Sequence, residues 1–199
     1  KRIGVETGDP KGFASFDDLV AAFKRQLRHF IDIKIRGNNV IERLYAEYMP
    51  VPFLSILIDD CIAKGKDYND GGARYNTNYI QGVGIGTVTD CLGAMKYHVF
   101  ERKTISMSDL LRALETNFDG IEKTRLLLVN KTPRYGNDDD YVDDLMADLF
   151  RFTEEEAIRH KNIWGEPYAI SRQGLTVHYY FGEKVGALPD GREAWTPLA

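Results

Sequence analysis

The stretch GGARYNTNYIQGVGIGTVTDCLG, residues 71–93, decides how this chain is read. It sets Gly82, Gly84 and Gly86 close together, just before a run with helical spacing. A dinucleotide fingerprint needs GxGxxG between a buried strand and a helix. Here Thr87 stands at the sixth position, and the lead-in RYNTNYIQ is too polar for a central parallel strand. A helix does follow, and Glu101 lies far enough on to act as a ribose-binding acid, but no Lys follows as in a P-loop. The glycines are expected to allow close backbone packing or a bent connection. A nucleotide-binding module using Gly82–Gly86 is the alternative.

Outward from this stretch, most of the chain reads as helix. SFDD at Ser15 is a capping box, followed by Phe16, Leu19, Val20, Phe23, Leu27, Phe30 and Ile31 at helical spacing. A second run, Val40 to Tyr48, ends before Pro50, and a third, FLSILIDDCIAKG, stops at Gly65. Thr87 to Phe100 follows the glycines. Ser106 with Asp109 opens another capped helix, Gly120 breaks the pattern before IEKTRLLLVN, and the longest run spans about residues 140–161. The best strand signal is GLTVHYYFG, residues 174–182, with RIGVET weaker; LPDGRE is a turn. One or two isolated strands need partners that these residues do not supply. With no initial Met and no polar tail, the chain is expected to be a piece of a larger α/β protein.

Composition narrows the function. Of 199 residues, 43% are hydrophobic, which suffices for a core, and the net charge of −4 argues against a nucleic-acid partner. No apolar run is long enough for a membrane helix, no signal peptide is seen, and two cysteines outside CxxC spacing fit reducing cytosol. Cys61 and Cys91 are read as packing residues. Asn137, Asp138 and Asp139 precede a helix, where they are expected to cap it rather than hold a metal. His29, His98 and His160 are expected on surface or boundary faces of helices. Thr176 and His178 share one face of the expected strand and would be its polar handles.

Four segments, DDCIAKGKDYNDGGARYN, QGVGIGTVTDCLGAMKYHVF, YGNDDDYVDDL and GALPDGREAWTPLA, agree in order and spacing with one family. The chain resembles the glycyl radical enzymes, the pyruvate formate-lyase-like family, over nearly its whole length. ARYNTNYIQGVGIG is most similar to the hydroxyproline dehydratase branch.

The resemblance implies a ten-stranded α/β barrel, of which this chain is a mostly helical fragment with few strands. It implies a glycyl radical, installed by a radical S-adenosylmethionine activating enzyme, that passes through a cysteine to a small-molecule substrate. For this branch it implies loss of water from a hydroxylated compound such as trans-4-hydroxy-L-proline. Formate acetyltransferase, glycerol or diol dehydratase and choline lyase activities are the alternatives within the family. An anaerobic bacterial cytoplasm and a homodimer are also implied. The family's Gly-Cys-x-Glu and Arg-Val-x-Gly-Tyr loops are both missing. Residues 1–199 are therefore expected to lie between those two loops, to contain no catalytic residue and to be inactive alone. Thr176, because its strand should enter the barrel, and Tyr135 are the expected substrate-binding residues.

Overall fold

The computed structural model describes residues 3–171 and 176–198. Among the described residues helices dominate, and the one sheet is a parallel pair of short strands. The chain forms two compact units. One comprises Lys1–Val5, Gln26–Gln81 and Thr153–Ser171; the other comprises Glu6–Arg25, Gly82–Phe152 and Arg172–Ala199.

Helix α1 covers Phe16–Tyr48. The Ser15 capping box forms as expected: Ser15 Oγ accepts from the Asp18 N–H at 3.2 Å, and the Ser15 N–H donates to Asp18 Oδ2 at 2.9 Å. The two runs expected at Ser15 and Val40 are a single helix, because nothing between them is a proline and Gly37 alone does not end a helix. The third expected helix is broken. It survives as α2 (Pro52–Ser55) and α3 (Cys61–Lys64), separated by Asp60 in a left-handed conformation, φ 77°. Gly65, φ 61°, ends α3 as expected.

In the first unit, strands β1 (Asn78–Gln81) and β2 (Tyr168–Ser171) pair in parallel. The polar lead-in, expected to be unsuited to a central parallel strand, supplies one member of this two-stranded parallel pair. Only alternate residues face the core, so Ile80 is half-buried while Tyr79 is exposed. Ile80 and Ile170 pack against Ile31, Ile35, Ala157 and Tyr168. The weak RIGVET strand is absent over residues 3–7, and Arg2 lies outside the described residues. There Gln26 takes the place of a strand partner: its Oε1 accepts from the Val5 N–H at 3.2 Å, and its Nε2 donates to the Val5 carbonyl at 2.6 Å. Buried Glu156 accepts from Arg28 Nε and Nη2 at 2.9 and 2.7 Å, and the guanidinium holds its carboxyl below the usual range.

The second unit has its own core of Ala94, Ile105, Leu110, Ala113, Phe118 and Leu128. Its helices are α4 (Ile85–Ala94), α5 (Met107–Glu115) and α6 (Glu122–Lys131). Helix α7 (Asp140–Ile158) and α8 (Val177–Gly182) complete the set, with α7 running on into the first unit. Helix α4 continues as a π-helical stretch, Met95–Glu101. Ser106 caps α5 through the Asp109 N–H at 3.0 Å, and Gly120, φ 68°, separates α5 from α6, both as expected.

The expected strand at residues 174–182 is corrected. Val177–Gly182 is helix, while Gly174 and Leu175 lie outside the described residues. β-branched and aromatic residues favour strands only where a pleated neighbour receives them. Here the chain's last segment crosses α8 instead: the Leu198 N–H donates to the His178 carbonyl at 3.2 Å, and a Cβ on Gly182 would collide with the Thr196 carbonyl.

Candidate functional site

Tyr135 stands on a tightly anchored loop of the second unit. Asp90, on α4, accepts from the Tyr135 N–H at 2.8 Å and from Arg134 Nη1 at 3.2 Å. Arg134 Nη2 donates to the Asp190 carbonyl at 2.8 Å, and Asp190 Oδ1 accepts from the Arg192 N–H at 3.0 Å. Asp90 and Asp190 are both buried, and burial pushes the Asp190 carboxyl up. The Asp90 carboxylate and the Arg134 guanidinium thus join helix α4, the loop at Tyr135 and the expected turn at residues 188–193, while the Asp190 carboxylate braces the turn itself. Tyr135 is 42% exposed as a residue on this anchored base.

Thr176 sits at the N-cap of α8, exposed, with no capping bond from its side chain. It is not on a strand, as the sequence had suggested. No hydrogen bond joins it to Tyr135 among the described residues. The segment after α8 is organised by Arg192, whose Nη2 donates to the Gly182 carbonyl at 2.7 Å and Nη1 to Gly186 at 2.8 Å. The same guanidinium also reaches the Thr196 and Pro197 carbonyls.

The cysteines and His98 behave as packing groups, whereas His29, His160 and His178 are half-buried. Cys61 and Cys91 are buried, and burial beside the Asp190 carboxylate pushes the Cys91 thiol up, away from nucleophilic use. His98 corrects the expectation of a surface or boundary histidine, being only 1% exposed. The Thr132 hydroxyl donates to the Leu128 carbonyl at 2.6 Å, so His98 Nε2 must donate to Thr132 Oγ1, 3.1 Å away. Nδ1 then accepts from the Thr104 hydroxyl at 2.8 Å. Burial lowers the pKa of this ring, which fits a neutral, fully paired imidazole. Asp139 caps α7 as expected, accepting from the Tyr141 N–H at 3.0 Å.

The motif GKDYNDGGARYN, in the first unit, is a polar knot that sequence reasoning missed. Asp67 accepts from the Val51 N–H (2.9 Å), the Ser55 hydroxyl (2.7 Å) and the Asn69 N–H (2.9 Å). Burial opposes its charge, but these bonds outweigh it and hold the carboxyl below the usual range. Buried Asn162 donates to the Asn76 carbonyl and, at 2.7 Å, to Asn78 Oδ1, while its Oδ1 accepts from the Trp164 and Glu166 N–H groups. Gly72 is required because a Cβ would strike the Lys66 and Asp67 carbonyls. Arg74 clasps Asp60 with two bonds, at 3.1 and 2.9 Å, across the strained turn before α3. An Asp two residues after a glycine and two before an Asn was the only available signal; it marks a turn and says nothing of its partners.

The glycine loop does connect a strand to a helix. Gly84, φ 77°, is the N-cap of α4. Apolar side chains close the space around it: a Cβ on Gly82 would lie 2.7 Å from Ile85 Cδ1, and one on Gly84 would lie 3.3 Å from Leu198 Cδ1. This is the close packing expected of the loop, and the faces toward Ile85 and Leu198 leave no phosphate cradle.

Comparison with known proteins agrees with this architecture. Trans-4-hydroxy-L-proline dehydratase of Clostridioides difficile is 52% identical over all of this chain and 25% of its own length. (2S)-3-sulfopropanediol dehydratase of Klebsiella oxytoca is 33% identical, over all of this chain and 24% of its own length. The crystal structure of the C. difficile hydroxyproline dehydratase with trans-4-hydroxy-L-proline bound superposes with a TM-score of 0.95, at 52% identity, covering 100% of this chain and 25% of that one. The glycerol-bound, B12-independent glycerol dehydratase from Clostridium butyricum gives 0.94 at 37% identity, with the same coverage. The chain thus spans about a quarter of the length of the relatives it matches, as a helix-rich part of their α/β fold. Residues 1–182 match the pyruvate formate lyase-like family, and the chain belongs to that family.

Proposed function

We propose that these residues form the part of a glycyl radical dehydratase barrel lying between its cysteine loop and its radical loop. The whole protein would remove water from a small hydroxylated substrate, with trans-4-hydroxy-L-proline the leading candidate. The observation that carries this reading is the 52% identity to a hydroxyproline dehydratase across the full chain, against 33% for the sulfopropanediol enzyme. The radical would reside on a glycine outside residues 1–199 and be installed by a radical S-adenosylmethionine activating enzyme. Cys61 and Cys91, buried and followed by Ile and Leu, do not fit a radical-carrying cysteine. The chain's own contribution is scaffold and substrate contact. Tyr135 is the better supported contact, because its backbone is fixed and the residue is exposed. Thr176 is exposed and its side chain makes no capping bond to α8, which leaves it a candidate for the same role. An anaerobic bacterial cytoplasm and a homodimer complete the proposal. Among the described residues no helix is long and apolar enough to cross a membrane.

The test is anaerobic activation of the full-length protein with its activating enzyme, followed by incubation with trans-4-hydroxy-L-proline, glycerol and choline in parallel. Preferential consumption of hydroxyproline is expected. Consumption of glycerol or choline alone would assign a different branch.

A further inference from the structure

The parallel pair β1 and β2 holds Tyr79 against Ala169, Ile80 against Ile170 and Gln81 against Ser171. Ile80, Ile170 and Tyr168 face the helical core of the first unit. By alternation, Tyr79, Gln81, Ala169 and Ser171 face the opposite side. On that side Tyr79 is 61% exposed and Gln81 is exposed, while Ala169 and Ser171 are half-buried. Parallel strands normally have both faces covered and are apolar on both. Relatives of this chain run to about four times its length, which leaves ample polypeptide to extend and close such a sheet. Yet the far face ends in a glutamine and a serine, which an apolar covering layer would leave unpaired at a cost. The pair also sits at the carboxyl ends of both strands, where parallel α/β sheets and barrels bind their ligands.

We propose that Gln81 and Ser171 bind polar groups of the small hydroxylated substrate. The inference rests on the dehydratase reading above. An amide and a hydroxyl can each donate and accept, and neither carries charge, so together they suit a hydroxyl or a carboxylate oxygen. They are binding and orienting residues, with no part in bond breaking.

Two measurements on the unactivated full-length protein decide the matter. In the first, Gln81→Cys is treated with a small methanethiosulfonate and with a PEG-maleimide, and labelled peptides are read by mass spectrometry. Modification by the small reagent alone is expected. Modification by neither, or by both equally, would place Gln81 under a packed layer or in bulk solvent and overturn the proposal. In the second, trans-4-hydroxy-L-proline is titrated calorimetrically into wild type, Gln81→Leu and Ser171→Ala. Each variant should bind about three- to tenfold more weakly, the loss of one neutral hydrogen bond. Equal affinity in both variants overturns the assignment. If wild type fails to bind hydroxyproline, the substrate reading fails by itself. The labelling result then still decides whether Gln81 faces a cavity.

Discussion

Replacing Asp67 by alanine removes the acceptor at the centre of the polar knot. Three donors lose their partner: the Val51 and Asn69 N–H groups and the Ser55 hydroxyl. Ser55 loses least, because its hydroxyl already lies 3.0 Å from the Val51 carbonyl and can turn to it. The two backbone N–H groups have no such fallback. At about 1–1.5 kcal/mol for each orphaned donor in a half-buried setting, local stability falls by about 2–3 kcal/mol. That corresponds to amide exchange roughly 30- to 150-fold faster at these positions. Hydrogen-exchange mass spectrometry on peptides over residues 49–57 and 66–73 reads it directly, with the separately packed α5 as an unchanged control. The wild-type knot also carries a pH signature. Because the Asp67 carboxyl is held below its ordinary value of 3.8, its contribution is complete above that pH and is lost as pH falls through the lower folded value. The variant should lack this acid-dependent loss. A change of less than threefold in exchange at Val51 and Asn69 would refute the reasoning, since the bonds would then carry no net stability.

Glu42 makes the opposite prediction. Its Oε2 is buried without a hydrogen-bond partner among the described residues, and burial raises its pKa above the usual 4.5. The folded state therefore prefers the protonated acid, and stability declines as pH rises through that raised value. Glu42→Gln should stabilise at pH 7 by about 0.5–1 kcal/mol, after discounting for partial exposure, and the gain should vanish near pH 4. Denaturant melts at the two pH values check it, and an equal gain at both would remove charge burial as the cause. The isolated 199-residue chain should self-associate, because Val40, Ile41, Phe53, Leu57 and Ile62 are each more than half exposed. A clean monomer by light scattering would contradict this.

Sequence alone determined the features that are written locally. Ser15, Ser106 and Asp139 each place an oxygen next to its own helix's first N–H groups, so the caps were legible without knowing any neighbour. Gly65 and Gly120 ended or separated helices because their left-handed conformations belong to glycine. The glycine-loop stretch and three further motifs likewise carried the family. What only tertiary structure decided was set by distant partners. NYIQ became a parallel strand because Tyr168–Ser171, some ninety residues on, lies beside it and a helical core packs on the face that carries Ile80. VHYYFG became a helix because the last residues of the chain cross it. His98 is buried because two threonines, six and 34 residues away, satisfy both ring nitrogens. Long-range pairing of this kind supplies more hydrogen bonds and packing than intrinsic preference can oppose, since that preference is worth only about 1 kcal/mol across its whole scale.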